Sequence, residues 1–122
     1  MTVEKVGVVG AGQMGAGIAQ VCAAIGKKVV LCDIKQDFVD NGMKTINMNL
    51  LKSVSKERIS QDDMDKTLEN IQTTLELSDL YECDIIIEAI VENVDIKKNL
   101  FRNLGESCKD GAILASNTSS IP

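Results

Sequence analysis

The chain has 122 residues and a formal net charge of −5 at neutral pH, which fits one domain and argues against a nucleic-acid-binding protein. One tyrosine and two phenylalanines, with no tryptophan, are too few for base-stacking platforms. The sequence contains no uninterrupted apolar run long enough to span a membrane. We therefore expect neither nucleic acid nor membrane as a partner.

Cysteine usage predicts a reducing compartment and no metal site. The chain has four cysteines without metal-ligand spacing, and the absence of histidine excludes a Cys/His zinc site. Because each cysteine lies in or beside an apolar segment, we expect buried free thiols in a cytoplasmic protein. The four residues are Cys22, Cys32, Cys83 and Cys108.

The first predicted strand, Lys5–Val9, runs directly into a glycine-rich turn that reads G-x-G-x-x-G at Gly10, Gly12 and Gly15. In a nucleotide-binding fold the first glycine allows a sharp turn, the second leaves room for a pyrophosphate, and the third lets a helix approach the strand. The helix is predicted over residues 14–25. Free N–H groups at its start would face the phosphates.

The second strand, Val29–Cys32, is followed by Asp33. Its separation from the glycine turn is close to the roughly 20 residues expected for a ribose-binding carboxylate. Asp33 would accept hydrogen bonds from both adenosine-ribose hydroxyls and repel the 2′-phosphate of NADP, so we expect a preference for NAD. Lys35 could soften that discrimination, and the alternative is that Asp33 merely ends a strand.

Apolar and polar segments alternate along the rest of the chain. One helix is predicted from Phe38 to about Val54, and a shorter one is capped by Ser60. Further strands are predicted at Ile71–Thr74, Asp84–Ala89 and Gly111–Ala115, with a helix marked by Ile96, Leu100, Phe101 and Leu104 before the last strand. This order predicts an α/β fold: a Rossmann-type doubly wound parallel sheet with an inserted helical hairpin after the second strand.

Apolar spacing also predicts the core. The fourth strand is apolar without alternation and is expected to be buried on both faces. Met48 is predicted to fill the core, and Ile71 to extend the buried side of the shorter helix as well as to begin a strand. The first helix is predicted to present one apolar face formed by Ile18, Val21, Cys22 and Ile25.

The chain stops at Pro122, soon after the fifth strand, whereas doubly wound nucleotide folds usually continue. We therefore expect residues 1–122 to form one NAD-binding domain of a longer protein. The domain alone is expected to be monomeric, with an apolar face exposed where a further domain would dock.

Three segments carry a family resemblance. Glu88-Ala89-Ile90-Val91-Glu92-Asn93 follows the fourth strand, and Ser116-Asn117-Thr118-Ser119-Ser120 follows the fifth. Together with Gly10-Ala11-Gly12-Gln13-Met14-Gly15, they closely resemble the 3-hydroxyacyl-CoA dehydrogenase family, with the short-chain bacterial members nearest. The resemblance covers essentially the whole chain, and the family also carries a long helical hairpin after its second strand.

The resemblance implies NAD as the cofactor and assigns residues to it. Asp33 would hold the adenosine ribose, and Asn117 would lie near the nicotinamide. The turn that would cradle the pyrophosphate consists of Gly10, Ala11, Gly12, Gln13, Met14 and Gly15. The nicotinamide-ribose side would be lined by Ala89, Ile90 and Glu92, with Lys97 reaching the same region.

The resemblance also implies an acyl-CoA substrate whose C3 exchanges a hydride with NAD. Ser119 matches the active-site serine that hydrogen-bonds the substrate 3-oxygen, and Asn49 and Lys56 fall where the family contacts coenzyme A. In this family the base is a histidine oriented by a glutamate, both beyond the serine motif. Because the chain contains no histidine, we expect NAD binding with little or no turnover. The full-length parent would be a homodimer or larger.

Two other function classes remain open. The first is a non-enzymatic NAD-binding or crystallin-like structural module of the same fold, with which the absence of histidine is compatible. The second is a 3-hydroxyisobutyrate-type dehydrogenase, which needs different residues after the fourth and fifth strands. The Ser-Asn-Thr-Ser-Ser motif argues against it.

Overall fold

A computed structural model describes residues 3–90, 102–103, 105–106, 108–109 and 111–116. Five parallel strands form one sheet in the order β3-β2-β1-β4-β5. This confirms the doubly wound α/β fold and the helical hairpin between the second and third strands. The elements are β1 (Lys5–Val9), α1 (Gln13–Ala24), β2 (Lys28–Cys32), α2 (Gln36–Ser55), α3 (Gln61–Glu69), β3 (Ile71–Thr74), a 3-10 helix (Leu77–Leu80), β4 (Ile85–Glu88) and β5 (Ile113–Ser116).

The strand order reverses between β1 and β4. The last residue of β1, Val9, is in register with Cys32 at the end of β2 and with Glu88 at the end of β4. The carboxyl ends of the three strands therefore meet at one edge of the sheet. In open α/β sheets a crevice forms at this switch point, and ligands bind there.

Apolar side chains cover the two faces of the sheet in separate clusters. One cluster lies under α1, α2 and α3 and includes Val8, Leu31 and Ile46. The other includes Leu80 at the end of the 3-10 helix and Cys83. Burial raises the pKa of the Cys83 thiol to about 11, so this cysteine is an inert core residue.

The first helix buries a different face from the one that its large apolar residues indicate. Val21 and Ile25 are 63% and 68% exposed, whereas Ile18 and Cys22 are partly buried. The predicted face is therefore wrong for Val21 and Ile25. Small side chains let the helix approach the sheet and its neighbouring helices closely, and they carry little hydrophobic signal. The buried residues of α1 are Gly15, Ala16, Ala19 and Ala23.

The helical hairpin begins two residues earlier than predicted, at Gln36, and Ser60 caps α3 as expected. The Ser60 hydroxyl accepts the N–H of Asp63, and the Asp63 carboxylate accepts the N–H of Ser60, both at 3.0 Å. Met48 is 58% exposed, so its prediction as core filling is wrong. Ile71 lies in β3 beyond the end of α3, which makes its strand assignment the correct one.

The fourth strand is shorter than predicted and is not equally buried on its two faces. Ile86 is fully buried, whereas Ile85 and Ile87 are only partly covered. The prediction of full burial on both faces is therefore wrong for the part of the molecule described. Within that part, none of the helices is long and apolar enough to cross a membrane.

Candidate cofactor site

The glycine turn between β1 and α1 is closely packed at two of its glycines. Gly10 has φ +106°, and a Cβ placed there would lie 3.1 Å from the carbonyl carbon of Ala89. A Cβ at Gly15 would lie 1.7 Å from the carbonyl oxygen of Gly10. Gly10 therefore permits the turn and its contact with the end of β4, and Gly15 brings α1 against the turn.

Gly12 differs from both, because a Cβ added there would meet no atom within 4 Å. Its φ of −69° is one that any residue adopts. Neither packing nor backbone conformation within the described chain therefore requires glycine at this position. An approaching ligand would require it, since a side chain would occupy the space above the turn.

Helix α1 begins at this open position without a side-chain cap. Gly12 is its N-cap, its carbonyl accepts the N–H of Ala16 at 2.9 Å, and the first turn contains no acidic residue. The first-turn N–H groups and the positive end of the helix dipole thus point toward the opening. This arrangement suits a phosphate.

Asp33, at the end of β2, is held beside the turn by two backbone hydrogen bonds. Its Oδ2 accepts the N–H of Ala11 at 2.7 Å, and its Oδ1 accepts the N–H of Ile34 at 2.7 Å. The Ala11 N–H therefore already has an acceptor. The ammonium of Lys35 lies 5.8 Å from the centre of the Phe38 ring, within cation–π range.

The end of β4 closes the other side of the crevice. The buried Ala89 donates its N–H to the carbonyl of Val9 at 2.8 Å. The partly buried Ile90 donates its N–H to the carboxylate of Glu88, which is fully buried. Glu88 therefore has the structural role that a strand-end carboxylate commonly takes.

A groove of about 810 Å³ connects the turn with Ala89 along the exposed side of α1. Most of its lining is apolar, and the turn contributes the polar end. The lining residues are Gly12, Gln13, Met14, Gly17, Ile18, Val21, Cys22 and Ala89. The predicted turn residues, Asp33 and the end of β4 are thus brought together at one edge of the sheet.

Two predicted site residues within the described chain are not brought into this crevice. Asn49, on α2, donates its side-chain N–H to the Gln20 side chain of α1 at 3.2 Å, and Lys56 is the exposed C-cap of α2. Their contact with coenzyme A remains a prediction. Glu92, Lys97, Asn117 and Ser119 lie outside the described residues.

The sequence analysis missed Gly42, which lies inside α2. A Cβ at Gly42 would lie 2.8 Å from the carbonyl oxygen of Ala11, so the missing side chain lets α2 contact the glycine turn. The available signal was the cost of glycine in a helix interior, about 1 kcal/mol relative to alanine, which usually indicates a packing reason.

Comparison with known proteins identifies the family. The family model described as "3-hydroxyacyl-CoA dehydrogenase, NAD binding domain" matches residues 5–122. The chain belongs to this family. The predicted resemblance and the predicted cofactor, NAD, are thereby confirmed.

Curated relatives agree with this assignment. The chain is 50% identical over 118 residues to a probable 3-hydroxybutyryl-CoA dehydrogenase of Deinococcus radiodurans, covering 97% of this chain and 42% of the relative. It is 46% identical over 119 residues to a 3-hydroxybutyryl-CoA dehydrogenase of Bradyrhizobium diazoefficiens, covering 98% of this chain and 41% of the relative. The chain therefore spans about two-fifths of the length of these relatives.

Solved structures share the fold closely. The (S)-3-hydroxybutyryl-CoA dehydrogenase PaaH1 of Ralstonia eutropha matches with a TM-score of 0.93 at 38% identity, over 97% of this chain and 42% of that protein. The 3-hydroxybutyryl-CoA dehydrogenase of Escherichia coli matches with a TM-score of 0.93 at 34% identity, over 98% and 25%. This 3-hydroxyacyl-CoA dehydrogenase NAD-binding domain thus shares the fold of experimentally determined relatives.

Proposed function

We propose that the switch-point crevice binds NAD, with the pyrophosphate above Gly12 and the adenosine ribose on Asp33. The observation that carries this proposal is the open space at Gly12. Gly10 and Gly15 are explained by contacts within the chain, whereas no contact of the described residues explains Gly12, and a ligand does. The uncapped start of α1 supports the same position, since it offers N–H donors and a positive dipole to a phosphate.

The turn and Asp33 divide the binding of the cofactor between them. A carboxylate has about four lone-pair sites, and Asp33 uses two of them on the N–H groups of Ala11 and Ile34. The other sites are left for the two ribose hydroxyls. A 2′-phosphate in the same place would bring a second negative charge against the carboxylate, which disfavours NADP.

We further propose that the chain supplies the cofactor half of an enzyme that moves a hydride between NAD and C3 of a 3-hydroxyacyl-CoA. NAD, when bound, provides the hydride acceptor or donor. Ser119 would orient the substrate oxygen, Asn117 would lie near the nicotinamide, and Asn49 and Lys56 would contact coenzyme A. With no histidine in the chain, we expect no appreciable turnover without a base supplied from elsewhere.

The cytoplasmic location and the monomeric state remain predictions. Cysteine usage supports a reducing compartment, although one relative is a peroxisomal fatty acid beta-oxidation multifunctional protein of Arabidopsis thaliana. Sedimentation of the chain at low micromolar concentration tests the monomer directly.

Calorimetric titration of NADH into the chain, with NADPH beside it, tests the proposed function. We expect saturable NADH binding, with NADPH at least about tenfold weaker, a difference of about 1.4 kcal/mol. Equal affinities would refute the role of Asp33. No binding of either nucleotide by the folded chain would refute the proposed cofactor site at Gly12 and Asp33.

A further inference from the structure

We infer that Asp33 is a positioning residue of the glycine turn, in addition to its proposed contact with the cofactor ribose. Its carboxylate accepts the Ala11 N–H, and the bare backbone of Gly42 packs against the carbonyl of the same residue. We call this pair of contacts the clamp. These contacts fix the backbone conformation of the glycine turn before any cofactor binds.

The N–H side of this clamp joins the end of β2 to the turn. Asp33 Oδ2 accepts the Ala11 N–H at 2.7 Å, and the neighbouring N–H of Gly10 donates to the carbonyl of Cys32 at 2.8 Å. Two successive amides of the turn are therefore bonded to two successive residues of β2 and its end. The bond to the carboxylate is charge-assisted, the stronger kind of hydrogen bond.

The carbonyl side of the clamp is formed by helix α2. A Cβ at Gly42 would lie 2.8 Å from the Ala11 carbonyl oxygen and 3.1 Å from the Ala11 Cβ. Only a glycine lets the helix backbone come this close. Ala11 is itself buried, so its N–H and its carbonyl are both shielded from water.

The clamp assigns different tasks to the amides of the turn. The Ala11 N–H serves Asp33, so it is not a phosphate donor in this arrangement. The next three residues, Gly12, Gln13 and Met14, line the groove at the opening, so we assign the phosphate contact to their amides. Fixing the turn in advance reduces the ordering cost of binding, which is the general advantage of preorganisation.

Amide hydrogen exchange in the cofactor-free chain tests the clamp itself. Asp33→Ala removes both accepting oxygens, whereas Asp33→Asn removes the charge and one of these oxygens and leaves the other for the Ala11 N–H. We expect the Ala11 amide to exchange at least about tenfold faster in D33A than in the wild type, and D33N to stay near the wild type. Equal exchange of this amide in D33A and the wild type would overturn the inference.

Inorganic pyrophosphate, followed by amide chemical shifts, tests the consequence for binding, which rests on the proposed function. Pyrophosphate has no ribose, and both variants lack the negative charge, so repulsion by the carboxylate does not distinguish them and the side-chain oxygen that D33N keeps for the turn does. We expect D33N to bind it at least about fivefold more tightly than D33A. Equal affinities would overturn the positioning role in binding.

The two experiments separate failure of this inference from failure of the proposed function. A wild-type chain that binds no NADH but shows the D33A-specific loss of Ala11 protection would keep the clamp and refute the cofactor site. A wild-type chain that binds NADH, together with a D33A variant whose Ala11 amide exchanges at the wild-type rate, would keep the cofactor site and refute the clamp.

Discussion

Each end of the sheet carries one aspartate that accepts two backbone N–H bonds, yet the two carboxylates have different surroundings. At the amino end, Asp84 Oδ2 accepts the N–H groups of Glu4 and Lys5 at 2.9 and 3.0 Å, and its Oδ1 accepts the ammonium of Lys109 at 2.5 Å. At the carboxyl end, Asp33 accepts its two N–H bonds on separate oxygens. Among the described residues, no cation forms an ion pair with it.

The comparison shows how similar hydrogen bonding can serve structure at one end and binding at the other. The bond from Lys109, followed by the two backbone bonds, holds the pKa of Asp84 well below its usual range. Asp84, the residue before β4, is thus a charge-paired carboxylate that links the start of β1 to Lys109, which precedes β5. Among the described residues Asp33 has no cationic partner, and it keeps lone pairs that ribose hydroxyls could use as acceptors.

Close packing at the carboxyl end gives the largest expected effect. Gly15→Ala forces a Cβ to within 1.7 Å of the Gly10 carbonyl oxygen, so we expect a loss of about 3 kcal/mol or more in the free energy of unfolding, measured in urea. Gly17→Ala, where an added Cβ meets nothing within 4 Å, is the matched control. It should be neutral or stabilising by up to about 1 kcal/mol. Similar losses in both variants would contradict the packing argument.

Matched asparagine variants separate the two aspartates. Asp33→Asn should lower the ratio of NADH to NADPH affinity by about tenfold, since it removes the charge that repels a 2′-phosphate. Asp84→Asn should leave both affinities within about twofold and lower the free energy of unfolding, because the bond to Lys109 loses its charge. Calorimetry and urea unfolding on each variant measure the two effects. A change in the ratio of NADH to NADPH affinity in D84N would contradict the assignment of a binding role to Asp33 and a purely structural role to Asp84.

Gly12 tests whether the opening is a ligand site and not merely empty space. The Cβ of Gly12→Ala meets no atom of the described residues within 4 Å, so the free energy of unfolding should change by about 1 kcal/mol or less, as expected for a helix N-cap. NADH affinity should fall by at least about tenfold because the methyl group occupies the phosphate position. Unchanged NADH affinity in G12A, measured by calorimetry, would place the cofactor elsewhere.

The smallest expected effect is the pH dependence of the Asp84 contacts at the amino end of the sheet. Because the folded-state pKa of Asp84 lies below its unfolded value of about 3.9, its stabilisation is complete above that pH and is lost as the pH falls further. The stability difference between the wild type and Asp84→Asn should therefore be present at pH 7 and shrink toward pH 3. A difference that does not change between these pH values would show that ionisation of Asp84 is unimportant.

Local sequence signals predicted the sheet, the glycine turn and Asp33, because strand and turn chemistry depend on nearby residues. They failed for α1, where large apolar residues such as Val21 and Ile25 are exposed and small ones such as Ala19 are buried. The distance of the helix from its neighbours decides that face, and spacing along the chain does not contain this distance. Gly42 and Asp84 were missed for the same reason, since their partners at Ala11, Glu4 and Lys109 are remote in sequence.

The most direct test of the central claim is an amide-resolved NMR titration of the chain with NADH. Binding at the carboxyl-end crevice predicts the largest shifts at Gly12, Gln13 and Met14. The amides of Glu4 and Lys5, held by Asp84 at the other end of the sheet, should hardly move. Shifts centred on the amino end, or saturable NADH binding without shifts in the glycine turn, would contradict the account.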